Sequence, residues 1–426
     1  MQSSVPPSLK GEWWNIAILI VLYFLQGVPM GLARAVPLYL QKHVDESAIA
    51  TFMLCAWPYS VKILWAPVVD SVYSPTVGRR KSWVVPVQLL VGAALLGLAT
   101  SFDALLLSDP PQIMVLTLGF LFLYFLVATQ DIAVDGWALT MLRRENVGYA
   151  STCNSVGQTA GFLVSYVGIL SLTSADFCNR VRDYFGNRWE LSEEGAVTMP
   201  GYLQFWGATF ILVTVLVAMF KSEPPETPVA TSQASVVPSH ATLPPDSGWA
   251  AIKAAYIEMR AVIRLKNVAI LAVVLLTSRL AFLTETDLEL KLLKQNVSNE
   301  DLMLYLMPIP VLEMAVTVCL SRTLSGPRPM TAYLWGFVGR LIGLVAYAAM
   351  FVFVPPADAD GQGPIMVAFL LITAAFRVPC QVMFGAQMAF FAKVADPALG
   401  GTYMTLLNTL ANLGYMWTSQ VGLRSI

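Results

Sequence analysis

Apolar runs long enough to cross a bilayer recur from one end of this chain to the other, and no other feature restricts its fold as severely. A helix needs about 20 apolar residues to span hydrocarbon. Segments of that kind fall near residues 16–40, 49–69, 83–101, 112–141, 149–171, 201–220, 267–292, 302–321, 331–354, 365–391 and 402–423, which predicts eleven spans. Only 12% of the residues are charged, about half the share of an ordinary soluble domain. The predicted class is an all-α membrane protein, because helices of this length satisfy their own backbone groups in lipid.

Charge and residue inventory exclude several functions. The net charge of −1 gives no field that would draw the chain to nucleic acid, and membrane lipid is its expected surrounding. Five scattered cysteines without a CxxC and two histidines in polar stretches, His43 and His240, argue against a metal site. No catalytic residue and no cofactor are assigned. The N-terminus lacks a cleavable-signal pattern, so the first apolar segment reads as a retained span.

Loop charges set an expected orientation. Gly78–Lys81 ("GRRK"), then Arg143 and Arg144, then Arg322 and Arg328 fall in alternate loops. The intervening loops carry Asp103 with Asp109 and Asp358 with Asp360. Basic loops favour the cytosol, which places the N-terminus there. Residues 222–248, rich in Pro, Ser and Thr, read as a disordered linker. "WAAIKAAYIEMRAVIRLK" after it reads as an interfacial cytosolic helix. The expected organisation is therefore an N-terminal half over 1–220, a linker with its helix over 221–266, and a C-terminal half over 267–426. The halves echo each other: "NSVGQTAG" sets Asn154 and Gln158 opposite Asn408 and Asn412 of "NTLANLG". Two pseudo-symmetric bundles joined by a cytosolic linker resemble the plan of the major facilitator transporters, whose solute site lies between the halves.

Ionisable groups at membrane depth are costly and mark function by default. The basic ones are Arg34, Lys62, Arg279, Arg340 and Arg377; the acidic ones are Asp131, Asp135, Glu285, Asp287 and Glu313. Arg34, Lys62, Arg340 and Arg377, with Asn154, Gln158, Asn408 and Asn412, form the expected solute site. Convergent Arg and Lys suit a polyanion, because their donors match phosphate oxygens. Snorkelling to the interface is the competing reading for Arg279 and Arg340, and helix-to-helix bonding for the amides.

"ATQDIAVDGWALTML" sets Asp131 and Asp135 one helical turn apart, on one face of an apolar helix. Two acids facing an anion would repel it. They are expected instead to pair with Arg79, Arg80 or Lys62 as a gate, with Lys81 and Asp70 completing a loop latch of the "D-x7-GRRK" form. Proton coupling and static pairing are the alternatives.

These stretches, with "GEWWNIAILIVLYFLQGVP", "WPYSVKILWAPVVDSVY", "SADFCN" and "DPALGGTYMTLLNTLANLG", closely resemble the acetyl-coenzyme A transporters of the endoplasmic reticulum membrane. The resemblance implies a facilitator fold that carries acetyl-CoA from cytosol to lumen, in exchange for CoA. It also implies a twelfth helix beyond "TSQVGLRSI", leaving eleven spans here. A homodimer is compatible with this plan. The alternative functions are a permease for another anionic or peptidoglycan-like solute, or a membrane-embedded acetyltransferase, for which no span offers a histidine. "NVS" at Asn296 is a weak glycosylation sequon expected on the lumenal side.

Overall fold

The computed structural model describes residues 9–40, 44–184, 192–223, 248–283, 308–353, 362–396 and 400–424. Among these residues all regular structure is helical. The main helices are α1 (Trp13–Leu40), α2 (Glu46–Met53), α3 (Trp57–Val61), α4 (Ala66–Ser71), α5 (Lys81–Leu106), α6 (Ile113–Met141), α7 (Tyr149–Leu172), α8 (Ala175–Tyr184) and α9 (Met199–Phe220). The expected linker falls on residues 224–247, outside the described residues; beyond them come α10 (Gly248–Ile263), α11 (Lys266–Thr277), α12 (Pro308–Leu324), α13 (Pro329–Phe353), α14 (Gln362–Val394) and α15 (Gly400–Arg424).

Eight helical stretches among the described residues are long and apolar enough to cross a membrane, or nine if the α10–α11 pair, bent by 73°, counts as one. The sequence predicts eleven. The expected spans at 267–292 and 302–321 run into residues 284–307, outside the described residues, as does Asn296. Helix α15 is long enough, at 25 residues, but its polar content keeps it off the count.

The second expected span, 49–69, is broken into α2, α3 and α4 by tight turns at Leu54–Ala56 and Lys62–Leu64. Proline supplies the reason. Pro58 and Pro67 have no N–H to return to Leu54 and Ile63, so the chain tightens into 3-10 turns just upstream of each. The second break matters most, because it carries Lys62 into the protein interior.

Within the first half, α1 packs intimately on α7, and α5 on α6 and α9; within the second, α14 packs on α12 and α13. Gly161 decides how closely α1 and α7 meet: a Cβ there would overlap the carbonyl of Phe24. Gly414 does the same in the second half, where a Cβ would strike the Leu275 carbonyl of α11. These two glycines end the echoed segments "NSVGQTAG" and "NTLANLG". The two glycines are one residue out of register with the asparagines, Gly161 standing seven after Asn154 and Gly414 six after Asn408, but each half uses a small residue to let two backbones touch. Between the halves, α6 and α4 meet α15, while α7 meets α12 and α14.

The linker helix α10 is present, with Trp249 and Ile257 exposed. It does not stand apart from the bundle: Tyr256 donates its hydroxyl to the Leu64 carbonyl, at the second break in the span.

Candidate functional site

Three polar assemblies are built into the apolar bundle. The first surrounds the two acids of α6. Lys62 forms an ion pair with Asp131, both side chains 4% exposed. Gln26 of α1 donates to the other Asp131 oxygen and to the Tyr59 hydroxyl, and Gln158 of α7 approaches that same oxygen at 3.5 Å. The Lys62 ammonium also sits 5.0 Å from the centre of the Tyr59 ring. Such a pair pays a large desolvation cost and is held by mutual neutralisation plus hydrogen bonds. Asp135, one turn along, has a different partner: it accepts from the Tyr23 hydroxyl at 2.7 Å.

The second assembly lies where the "GRRK" loop meets the second half. Arg80 forms an ion pair with Asp70, both side chains at most 1% exposed. The other Asp70 oxygen accepts from the backbone N–H of Thr402 at 2.5 Å. Thr402 stands in the first turn of α15, where unpaired N–H groups and the helix dipole favour an anion. Gly136 makes room: a Cβ there would lie 2.5 Å from the Arg80 guanidinium carbon. Glu223, at the end of α9, accepts from the backbone N–H groups of Arg80 and Lys81 at 3.0 Å each and so fixes the loop. Just outside the apolar spans, burial pushes the Lys221 ammonium down, while it donates to Asn15 at 2.6 Å. Nearby, Ser325 of the second half is buried against Gly148 of the first. The halves are thus closed against each other on the face that carries the basic loops.

The third assembly belongs to the second half. Glu313 accepts from Arg377 at 3.0 Å, with 43% of the Arg377 side chain exposed. Gln381 donates to Thr317 at 3.1 Å and, across the interface between halves, to Ser155.

The expected solute residues are distributed unevenly. Lys62 is neutralised by Asp131, so it presents no free charge in this conformation. Arg340 is enclosed, its guanidinium 4.1 Å and 5.5 Å from the rings of Phe282 and Phe376. Arg34 is exposed on α1, Asn154 is buried, Asn408 half-buried and Asn412 exposed. The expected pairing of α6 acids with the loop is corrected in part. Asp131 takes Lys62, but Arg80 goes to Asp70, Arg79 lies 4.8 Å over the Tyr73 ring, and Lys81 donates to the Ala218 carbonyl at 2.9 Å. Arg80 is held instead by Asp70, which the loop motif already placed beside it. Tyr23, Gln26, Gln381, Ser155, Glu223 and the N-terminus of α15 were missed from sequence. Gln26 alone carried a signal, an amide inside the apolar run "LYFLQGVP".

No group of three or more His, Cys, Asp or Glu among the described residues could hold a metal ion. Solved structures that resemble the chain are transporters. A bacterial homologue of the iron transporter ferroportin in an outward-facing state superposes with a TM-score of 0.58 at 14% identity, covering 96% of this chain and 91% of that one. The human organic anion transporter MFSD10 gives 0.57 at 13% identity, covering 95% and 92%. At these identities the likeness establishes the fold, two helical bundles of the major facilitator type, which is not a catalytic fold. An uncharacterized protein of Schizosaccharomyces pombe is 36% identical over 96% of this chain and 74% of its own length. An uncharacterized membrane protein of Saccharomyces cerevisiae is 33% identical over 94% and 81%. The anhydromuropeptide permease of Escherichia coli K12 is 30% identical, but over only 38% of this chain and 31% of the permease. The family model described as "Acetyl-coenzyme A transporter 1" matches residues 15–322 and 311–426. This multi-pass membrane protein, with its buried ion pairs and its two-bundle transporter fold, belongs to the acetyl-coenzyme A transporter family.

Proposed function

We propose that the protein carries acetyl-CoA from the cytosol into the endoplasmic reticulum lumen, in exchange for CoA, by alternating access. The observation that carries this reading is the length of the family match, which runs through both halves and therefore through any site between them. The half-exposed Arg377 and the exposed Arg34 support an anionic solute, since each can offer charge-assisted hydrogen bonds to phosphate. The basic loops support a cytosolic N-terminus. In this reading the Asp70–Arg80–Thr402 contact is the cytosolic latch, and the Lys62–Asp131 pair is a reserve of charge that opens as the halves rock. The notion of the α6 acids as gate residues rests on that movement.

One observation favours a second reading. The similarity to the anhydromuropeptide permease is confined to 165 residues, but it supports a peptidoglycan-like solute on a shared scaffold. Uptake of labelled acetyl-CoA into proteoliposomes separates the two. Competition by free CoA, without competition by an anhydromuropeptide, is expected. The reverse pattern would assign the solute to the permease class, and no uptake of either would remove both.

A further inference from the structure

The cluster around Asp131 and Asp135 does not balance in charge. Lys62 is the one cation paired within it among the described residues, and Asp131 takes it. Tyr23 and Gln26 come from α1, Tyr59 and Lys62 from the broken span, and Asp131 from the preceding turn of α6. Cys153 and Gln158 come from α7. Arg80 lies against the next residue, Gly136, but is engaged by Asp70, and the N-terminal turn of α15 packs on α6 there through Gly400 and Gly401. Two carboxylates thus share one ammonium in a space where Asp135 is 2% exposed. One oxygen of Asp135 holds the Tyr23 hydroxyl, and the other is buried without a hydrogen-bond partner among the described residues.

An ionised carboxylate with an empty oxygen in a dry site is a costly state, and the cheapest remedy is a proton. A metal cation is the weaker remedy, because the Lys62 ammonium already occupies the space between the acids and no third acid, histidine or cysteine among the described residues completes a ligand set. We propose that Asp135, oriented by Tyr23, is a proton-binding site of the transport cycle. A proton from water binds the vacant oxygen and converts the carboxylate to a carboxyl group, leaving Lys62 and Asp131 as a neutral pair. It returns to water when the halves separate on the face of the basic loops. The gate for that release is the Asp70–Thr402 contact, because it holds the N-terminus of α15 against α6 at Ile132 and Gly136, on either side of Asp135 in the sequence. Opening the latch admits water to the acid, so conformational exchange and proton release are one event.

Infrared spectroscopy of the purified protein tests this without any solute. Near neutral pH the wild type is expected to show a buried carboxyl C=O absorption that Asp135→Asn lacks, and Tyr23→Phe should move that band to higher frequency. Identical spectra for wild type and Asp135→Asn would overturn the proposal. Thermal unfolding supplies a second measure. A native state that binds a proton the unfolded state releases loses stability as pH rises. From about pH 6 to about pH 9 the wild type should lose roughly 2–4 °C more than Asp135→Asn. Parallel curves would overturn it. A third arm rests on the acetyl-CoA reading: an imposed pH gradient should drive accumulation in wild-type proteoliposomes and have no effect on Asp135→Asn. If even counterflow of acetyl-CoA is absent in the wild type, the solute assignment fails while the spectra still decide on the proton.

Discussion

Asp70→Asn isolates the contact that ties the two halves together. The substitution keeps the shape of the side chain but removes its charge. Both residues of the Asp70–Arg80 pair belong to the first half, so rocking of the halves does not require it to break and its loss is expected to cancel largely between conformations. The bond from the Thr402 N–H crosses between halves and exists only when the basic face is closed. A hydrogen bond to a charged group contributes about 1.5–3 kcal/mol and a neutral one about 0.5–1.5, a difference of roughly 1–1.5 kcal/mol. The lost anion at the helix N-terminus adds about 0.3–1 kcal/mol. The closed conformation should therefore lose about 1.5–2.5 kcal/mol relative to the open one. At 1.4 kcal/mol per factor of ten, its population relative to the open form falls at least about tenfold. Ser325 is a suitable reporter, 1% exposed beneath Gly148 of the opposite half. Ser325→Cys, in a chain whose exposed Cys319 and half-buried Cys380 are replaced by serine, should react with an impermeant maleimide about ten times faster when Asp70→Asn is added. An unchanged rate would refute the latch.

The other expectations are briefer. Lys62→Met should destabilise the protein by about 3–5 kcal/mol, because Asp131 is left buried without its counter-ion; the Lys62→Met/Asp131→Asn pair should recover most of that in thermal unfolding, and simple additivity would count against the pairing. Gly161→Ala should cost about 1–3 kcal/mol by forcing α1 away from α7, measured as a lower melting temperature with no gain from added solute. Arg377→Gln should raise the acetyl-CoA concentration needed for half-maximal uptake by roughly tenfold, the loss of one charge-assisted contact; unchanged uptake would leave Arg377 as a partner for Glu313 alone. A glycan at Asn296 is expected after expression in a eukaryotic host, and glycan on a sequon engineered into the "GRRK" loop would reverse the proposed orientation.

Much of this molecule follows from one-dimensional pattern. Hydrocarbon tolerates only helices that satisfy themselves, so length and apolarity were enough to locate most of the spans and to announce an all-α bundle. The echo between "NSVGQTAG" and "NTLANLG" was also legible, but the glycines that make the close contacts are one residue out of register with it, so their role was not. A charge where charge is expensive made Lys62, Asp131 and Asp135 conspicuous in the sequence, while Asp70 stood out through its spacing from the "GRRK" loop.

Their partners were not legible. Five cations in apolar segments read as a positively lined path, yet Lys62 is consumed by Asp131, Arg377 is bonded to Glu313 and Arg340 is enclosed by two aromatic rings. Sequence fixes which side chains are charged, but ion pairing depends on separations of a few ångströms between helices far apart in the chain, and Asp131 lies 69 residues from Lys62. Two features set those separations here: the proline-induced break that turns Lys62 inward, and the missing side chain at Gly136 that lets Arg80 settle onto Asp70. The Thr402 N–H is a backbone group that any residue but proline would supply, so no residue type could advertise it. Composition and periodicity thus determined that this chain lives in a membrane as packed helices; only the tertiary structure decided which buried charges pair, Lys62 with Asp131 and Arg80 with Asp70, and that Asp135 meets a hydroxyl there.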